Sequence, residues 1–368
     1  MRVKLRCKTN QKEADKVAAF LANVSDQLLF HIPLYEIGKV FSISREKMLD
    51  IFIQGVYDGV FILEWMYHCP VCGHIACETF SLHQALSQNF CTICNKGFHN
   101  IIDANIEVCF SIHPRLKTLD PALKLQYIAD MENNIRNGKY HKWDTPNAVR
   151  GIDIIQNNLY RTLMSSEAPS DTQSLPLSNA TILFADIANS TKLYASLGDR
   201  KAFLLLKAYT QILFDTIERC GGVPVMINGA LVMGAFIDPC KAFQAAVKTQ
   251  RQLATHSHNK PTSERSELKI GLHCGSVLVA TVNNRLNYIG LTVNTAADIK
   301  NTALPNEVVI SEALFNNRAI KRAILSVTDT VQKQQIQLQG HPHKHTLYHI
   351  KVENRSRCTH RRPISVAQ

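Results

Sequence analysis

The chain has 368 residues, of which 45% are apolar and 19% are charged, and its formal net charge is +11. This length and composition are typical of a soluble protein with two or three domains, and the sequence contains no run of about 18 apolar residues that would predict a membrane span. No charged and then apolar leader opens the sequence, so we expect a cytoplasmic protein without a membrane partner.

The positive charge is spread along the chain. Residues 1–50 hold nine Lys or Arg against six Asp or Glu, residues 51–110 hold one against five, and residues 351–368 hold five against one. A surplus distributed in this way is weak support for nucleic-acid binding. We interpret residues 353–368 as a basic tail.

The first predicted region, residues 1–66, is helical and has the outline of a helix-turn-helix. Ser44 is the predicted N-cap of its last helix, and a strand follows that helix. The outer face offers only Lys39, Arg45 and Lys47, and the adjoining segment is acidic. We therefore favour a region that packs against its neighbour, and we keep DNA contact as the alternative.

The strongest local motif lies in residues 67–113, where CPVC is followed after eighteen residues by CTIC. Each pair can place two thiolates at about 2.3 Å from one tetrahedral Zn²⁺, and four thiolates leave no position for a substrate water. We therefore predict a structural zinc in a small ribbon. The predicted ligands are Cys69, Cys72, Cys91 and Cys94. Cys77 and His99 are alternative ligands, and reduced core cysteines or a redox pair are alternatives to zinc.

Residues 114–177 are predicted as a helical linker, because helical patches are followed by a stretch rich in Ser and Pro. In residues 178–352, strands and helices alternate. A buried strand ends at Asp186, and the stretch VMINGALVMGAF predicts a hairpin around Asn228-Gly229. This alternation predicts an α+β or α/β sandwich of the ferredoxin-like type, covered by helices on one side.

Four blocks of this second region resemble the class III adenylyl/guanylyl cyclase catalytic domain in their order and spacing. They are FADIANST, GGVPVMINGALVMGAF, LKIGLHCGSVLVATV and IGLTVNTAADI. The resemblance covers about 178–352, and the first half of the chain resembles the helical and CPxCG region that precedes this domain in some bacterial members. It implies a homodimer with composite nucleotide sites, in which two Mg²⁺ or Mn²⁺ ions neutralise the triphosphate.

The resemblance implies a role for a few residues that match the family pattern. Asp186 matches the first metal-binding aspartate, and Asn294 matches an asparagine that supports the transition state. The loop after Asp186, with Ile187, Ser190 and Thr191, is expected to present backbone N–H groups to phosphate oxygens.

Four other positions depart from the family pattern. Ala230 replaces the second metal-binding aspartate, Met226 the base-reading lysine, Asn287 the base-reading aspartate, and Asp298 the transition-state arginine. A methyl group offers Mg²⁺ no oxygen ligand, and a carboxylate cannot stabilise negative charge on a phosphate. Asn228 is neutral and occupied in the predicted turn, and Asp238 lies well beyond the expected position, so neither is favoured as a substitute ligand.

We therefore hypothesise a catalytically degenerate cyclase-like protein that acts in regulation or nucleotide sensing. It would hold a structural Zn²⁺, and it would bind Mg²⁺ or Mn²⁺ only together with a nucleoside triphosphate. The alternatives are an active nucleotidyl cyclase with unusual metal ligands and a DNA-binding regulator. The histidine-rich segment 341–345 is interpreted as a solvated loop.

Overall fold

The computed structural model of the protein describes Leu5 and residues 10–165, 167–258, 260–261, 264–328, 330–352 and 365–367, without the side chains of 226–228 and 365–367. The chain divides into two compact units. The N-terminal unit comprises residues 1–178 and 278–287, and the C-terminal unit comprises residues 179–277 and 288–368. Among the described residues, no helix is both long enough and apolar enough to cross a membrane.

The N-terminal unit opens with four helices, of which the last two form the predicted helix-turn-helix outline. They are α1 (Gln11–Leu21), α2 (Asp26–Leu29), α3 (Leu34–Val40) and α4 (Arg45–Tyr57). The side chain of Ser44 accepts a hydrogen bond from the Lys47 backbone N–H, which confirms the predicted N-cap. The buried face of α4 contributes Phe52, whose ring stacks on Phe61 with 4.5 Å between centroids.

The basic residues on the outer face of this helix-turn-helix are engaged within the N-terminal unit. Their hydrogen bonds join Lys39 Nζ to Asn147 Oδ1 at 2.8 Å, Arg45 Nη2 to the Pro146 carbonyl oxygen, and Lys47 Nζ to Glu13 Oε1 at 2.9 Å. A phosphate backbone would have to compete with these intramolecular partners. The contacts favour packing over DNA binding.

Two small sheets follow the helices. In the first sheet, β1 (Phe61–His68) is the central strand between β2 (Ile75–Thr79) and β5 (Ile106–Ile112), and all pairs are antiparallel. The second sheet is the hairpin of β3 (Gln88–Cys91) and β4 (Lys96–His99). The first cysteine pair directly follows β1, and the second begins at the last residue of β3, so each pair lies in a tight turn.

The segment predicted as a linker contains helices that belong to the N-terminal unit. They are α5 (Pro121–Arg136), α6 (Gly151–Ile155) and α7 (Asn158–Leu163). Met131 and Ile135 of α5 pack into the apolar cluster that contains the paired cysteines. The same unit includes the short segment 278–287, where Arg161 donates a hydrogen bond to the Leu286 carbonyl oxygen at 2.5 Å.

The C-terminal unit is built on a mixed sheet. Its strands are β6 (Ser174–Ile187), β7 (Val223–Asn228), β8 (Leu231–Phe236), β9 (Leu268–Val282), β10 (Arg285–Ile289), β11 (Glu307–Ser311), β12 (Thr330–Gln337), β13 (Lys344–Lys351) and β14 (Ser365–Ala367). Within the described residues, their order is β14-β12-β13-β11-β9-β6-β8-β7, and β10 pairs with β9. The strands β7 and β8 form the predicted hairpin. This α+β architecture confirms the predicted fold class.

The helices of this unit cover both faces of the sheet, so the expectation of helices on one side is wrong. They are α8 (Ser190–Leu197), α9 (Asp199–Arg219), α10 (Pro239–His258), α11 (Leu291–Thr302), α12 (Glu312–Phe315) and α13 (Arg318–Leu325). The helices α9 and α10 share a core with Val308 and Ile310, whereas α11 packs with Val309. Alternate residues of a strand point to opposite faces, so α11 lies across the sheet from α9 and α10.

The helix α11 approaches the sheet closely at Gly271 of β9. A Cβ atom at Gly271 would lie 2.3 Å from the backbone nitrogen of Lys300, which is closer than any real Cβ contact. Because the obstacle is backbone, no side-chain rotation relieves it. The glycine therefore sets the distance between α11 and the sheet.

We expect Gly271→Ala to destabilise the C-terminal unit by about 1–3 kcal/mol or more, since overpacking forces α11 away from the sheet. Chemical unfolding of the full chain measures the loss. Gly97→Ala is the control, because the nearest atom to its added Cβ lies 3.9 Å away. Equal midpoints for the two variants would contradict the close approach.

Candidate functional site

The carboxylate of Asp186 lies on the face of the sheet that α11 covers. Asp186 is in β6 and pairs with Leu231 of β8. Its neighbours Ala185 and Ile187 belong to the core beneath α9 and α10. Strand alternation therefore directs Asp186 to the opposite face, which places the predicted metal ligand next to α11.

The ammonium group of Lys300 occupies the position next to this carboxylate. Lys300 Nζ donates a hydrogen bond to Asp186 Oδ2 at 3.1 Å. The Lys300 side chain is 11% exposed and that of Asp186 is 32% exposed, so the pair is largely withdrawn from water. A withdrawn charge needs a partner, and each of these residues supplies the charge that the other needs.

The sequence analysis did not identify Lys300. The available signal was helical spacing, because Lys300 follows Ala296 by four residues on the buried stripe of α11. Pairing it with Asp186 required the position of α11 on the sheet, which the local pattern does not contain. The local sequence was therefore sufficient to predict Asp186 as a site residue, but not to predict Lys300 as its partner.

Ala230 directly precedes Leu231, the residue of β8 that pairs with Asp186. Its carbonyl oxygen accepts a hydrogen bond from the Ile187 N–H at 3.4 Å, and its methyl group is buried in the apolar core. A methyl group in this position contributes packing and no metal ligand. The side chains of Met226 and Asn228 lie outside the described part of the structure.

The loop after Asp186 has fewer free N–H groups than its sequence predicts. The Ile187 N–H faces the Ala230 carbonyl, and the Ala188 N–H donates to the Glu267 carbonyl oxygen at 2.8 Å. The helix α8 then begins at Ser190, so Ser190 and Thr191 keep the unpaired N–H positions of a helix N-terminus. Any backbone contact of this loop with a phosphate would therefore have to come from Asn189, Ser190 or Thr191.

A cavity of about 690 Å³ opens next to the same loop, and its lining does not include Asp186. Its basic lining residues are Lys192, Arg251, His258, Arg265 and Lys351. The acidic lining residue Glu267 accepts a hydrogen bond from Asn306 at 2.7 Å. This balance of charge suits an anionic ligand.

The two polar residues predicted on α11 have different surroundings. Asn294 is exposed in the first turn of the helix. Asp298 Oδ2 lies 3.9 Å from His341 Nε2, and His341 Nδ1 lies 3.0 Å from His345 Nε2. Asn287 lies on β10, in the segment that belongs to the N-terminal unit.

The interpretation of segment 341–345 as a solvated loop is wrong for His341, which is only 9% exposed. His341 and His345 also face His273, whose Nδ1 lies 2.8 Å from Ser311 Oγ. Burial, assisted by these two histidines, lowers the pKa of His273 to about 4 from an ordinary value of 6.5. The His273 ring is therefore neutral at pH 7.

We expect the stability of the C-terminal unit to fall as the pH drops from 6.5 through about 4, because the unfolded chain binds a proton that folded His273 rejects. His273→Asn keeps a hydrogen-bonding group near Ser311 and cannot titrate, so its stability should depend less on pH in this window. Urea unfolding of both proteins at several pH values measures the difference. Identical slopes would contradict the assignment to His273.

The four predicted cysteine ligands come together in the N-terminal unit. Their sulfur atoms all lie within 4.8 Å of one another, and no other group in the described residues has metal-ligand spacing of this kind. Cys72 Sγ and Cys91 Sγ are 3.7 Å apart, close to the edge of about 3.8 Å in a tetrahedron with Zn–S bonds of about 2.3 Å. The donor set fits Zn²⁺.

Backbone groups support the cysteine cluster. The Val71 N–H points to Cys69 Sγ and the Cys94 N–H points to Cys91 Sγ, each at 3.4 Å. Such N–H donors stabilise thiolates that bind a metal. The alternative ligand Cys77 is not in the cluster, and its thiol faces the Glu78 carbonyl oxygen at 3.9 Å. His99 is also outside the cluster.

We expect the purified protein to contain about one zinc ion per chain. Cys91→Ala should lose the ion and lower the unfolding temperature, because the small ribbon depends on the metal for its stability. Elemental analysis and thermal denaturation measure both effects. Cys77→Ala is the matched control and should keep the zinc; loss of zinc from that variant, or none in the wild type, would contradict the assignment.

Comparisons with known proteins agree with the two-part organisation. Residues 172–352 match the family model of the adenylate and guanylate cyclase catalytic domain, and residues 2–131 match a family of unknown function, DUF5939. A search of curated proteins found no match.

Among solved structures, the chain is similar to the adenylyl cyclase CyaB from P. aeruginosa, with 19% identity over 50% of this chain and 98% of that chain, and a TM-score of 0.43. It is also similar to the guanylate cyclase domain of RhGC from Catenaria anguillulae, with 19% identity over 49% and 99% and a TM-score of 0.40. Adenylate cyclase structures from Trypanosoma brucei have 19% identity over 49% and 92% and a TM-score of 0.40.

Proposed function

Residues 172–352 belong to the class III adenylyl/guanylyl cyclase family, and on this premise we propose that they form a catalytically silent cyclase domain in a regulatory or nucleotide-sensing protein. The proposal is carried by one observation, the ion pair between Lys300 and Asp186. In this pair an internal ammonium group takes the place that a catalytic cation would need.

Ring closure of a nucleoside triphosphate requires divalent cations, which an ammonium group next to Asp186 cannot replace. Two divalent ions polarise the α-phosphate and neutralise the triphosphate, and Mg²⁺ requires oxygen ligands in near-octahedral geometry. A metal ion that binds Asp186 must first displace Lys300. The incoming ion would compensate Asp186, but Lys300, whose side chain is only 11% exposed, would lose its charged partner. The ion pair therefore opposes metal binding, in addition to the missing second carboxylate at Ala230.

The negative charge that develops in the transition state would also lack a cationic side chain to stabilise it. Asp298 replaces a cationic residue, and its carboxylate faces His341 at 3.9 Å. Loss of a single donor to the developing charge reduces turnover by roughly 10²- to 10³-fold. The combined changes support a domain that keeps its fold and has lost cyclisation.

Nucleotide sensing remains compatible with the same domain. The basic cavity beside Ala188 is large enough for a phosphate-bearing ligand, and it does not depend on Asp186. We further propose that the domain forms a homodimer, because Ile289, Leu291 and Leu304 expose 39%, 68% and 62% of their apolar surface.

We expect the protein to form no cyclic nucleotide from ATP, GTP, CTP or UTP with Mg²⁺ or Mn²⁺. Lys300→Met should bind Mn²⁺ more tightly than the wild type, because it removes the cation that pairs with Asp186. Product analysis and Mn²⁺ titration measure the two effects. Ala230→Asp is the control and should not gain, because residue 230 lies in the apolar core on the other face of the sheet.

Two outcomes of these measurements would overturn the proposal. Robust cyclic product that disappears in Asp186→Ala would identify an active cyclase with unusual metal ligands. Tight Mn²⁺ binding by wild-type protein, lost in Asp186→Ala, would show that Lys300 does not block the site.

A further inference from the structure

We propose that the N-terminal unit binds a small neutral ring compound that carries an N–H or O–H donor, in a cavity between its first sheet and α5. This inference concerns a different unit from the cyclase domain and does not depend on whether that domain is silent. The cavity has a volume of about 160 Å³. An apolar cavity of about 150 Å³ is known to hold benzene, so the space suits a ring of five or six atoms.

The walls of the cavity combine an apolar surface with a few polar groups. Met66, Ile75, Ile128 and Met131 supply apolar contacts. Methionine sulfur is a favourable neighbour for an aromatic ring. This composition, mostly apolar with a small number of fixed polar atoms, is typical of small-molecule sites.

Two histidine side chains that line the cavity each have a nitrogen without a hydrogen bond. His74 Nδ1 and His31 Nε2 are buried and have no hydrogen-bond partner among the described residues. His74 is 9% exposed, so water does not readily compensate it. A buried polar atom left unpaired costs about 1–3 kcal/mol. A ligand donor would remove this cost.

The neighbourhood of His74 decides which kind of ligand group is needed. His74 Nε2 lies 3.6 Å from Glu132 Oε1. A carboxylate at this nitrogen favours the tautomer that carries its proton on Nε2, which leaves Nδ1 as a lone-pair acceptor. The complementary ligand group is therefore a donor.

His31, which also lines the cavity, is fixed by its backbone and ring contacts. Its backbone has φ +46°, a sparsely populated conformation for a residue with a side chain, and its N–H donates to Ser111 Oγ at 3.1 Å. The ring stacks on Phe30 with 3.8 Å between centroids and meets the edge of Tyr127 at 5.0 Å. Burial lowers the pKa of His31 to about 3, so the ring is uncharged at pH 7.

The charged residues that line the cavity favour a neutral ligand. Lys124 Nζ and Glu78 Oε1 form an ion pair at 2.6 Å, so their charges compensate each other. Glu64 Oε2 lies 3.7 Å from His31 Nε2, beyond hydrogen-bond distance, and burial raises the pKa of its carboxyl group to about 7. A metal ion is disfavoured, because within the described residues only the four paired cysteines have metal-ligand spacing.

Matched ligand pairs test the proposal on the full-length protein. Pyrrole and furan differ in one N–H donor, and phenol and benzene differ in one O–H donor. We expect calorimetry and ligand-observed NMR to show saturable binding. In at least one pair, the compound with the donor (pyrrole or phenol) should bind about three- to tenfold more tightly than the compound without it. Absence of binding by both pairs, which would leave only water in the cavity, would overturn the proposal.

Variants locate the binding to the cavity. Ile128→Trp and, separately, Cys77→Leu fill the space and should abolish binding, so the test survives if one of them fails to fold. Leu125→Trp is the matched control, because Leu125 is on the same helix and 68% exposed. Binding that persists in a folded, cavity-filled variant would also overturn the proposal.

A substitution of His74 tests the recognition of the donor. His74→Leu should remove the preference for pyrrole over furan and retain weak binding of both, whereas His74→Asn should keep part of the preference. Zinc content is measured in both variants, because the His74 carbonyl oxygen accepts a hydrogen bond from Cys69. An unchanged preference in zinc-loaded His74→Leu would contradict the role of His74.

Discussion

The carboxylate of Asp186, near the end of a central strand, is paired with a positive charge. Whether that charge is a side chain or a metal ion decides whether Asp186 is available as a metal ligand. Here the charge is the ammonium group of Lys300, 3.1 Å from Asp186. The lysine reaches Asp186 because α11 packs directly onto β9, where Gly271 leaves room for the backbone of the helix. An internal cation carries no exchangeable ligands, so in the silent domain that we propose it occupies the position where chemistry would require a metal.

Two other residues at positions that depart from the family pattern also make structural contacts. Ala230 contributes a methyl group to the apolar core, and Asp298 faces the buried ring of His341. Neither side chain is left as an unpaired remnant in a cleft. In the silent domain that we propose, stability would no longer compete with the requirements of an active site.

Local patterns could be predicted from the sequence, and contacts between distant elements could not. The cysteine pairs, the N-cap at Ser44 and the strand that ends near Asp186 depend on neighbouring residues, so their spacing was sufficient. Lys300, the burial of His341 and the second helical face depend on how α11 and the last hairpin pack, which no short window contains. The unpaired nitrogens of His31 and His74 are also non-local, because their cavity is lined from β1, β2 and α5.

The segment 278–287 has a consequence for how the protein can be divided. These residues lie within the cyclase region of the sequence, yet they belong to the N-terminal unit. There the Thr281 hydroxyl donates a hydrogen bond to the Pro169 carbonyl oxygen, and Arg161 donates one to the Leu286 carbonyl oxygen. The polypeptide consequently leaves the first unit after residue 178, re-enters it at 278 and leaves it again after 287. A fragment that starts at residue 179 would carry ten residues separated from their own core, and a fragment that ends at 178 would lack them. The two units are thus distinct in packing but not separable by a single cut in the gene.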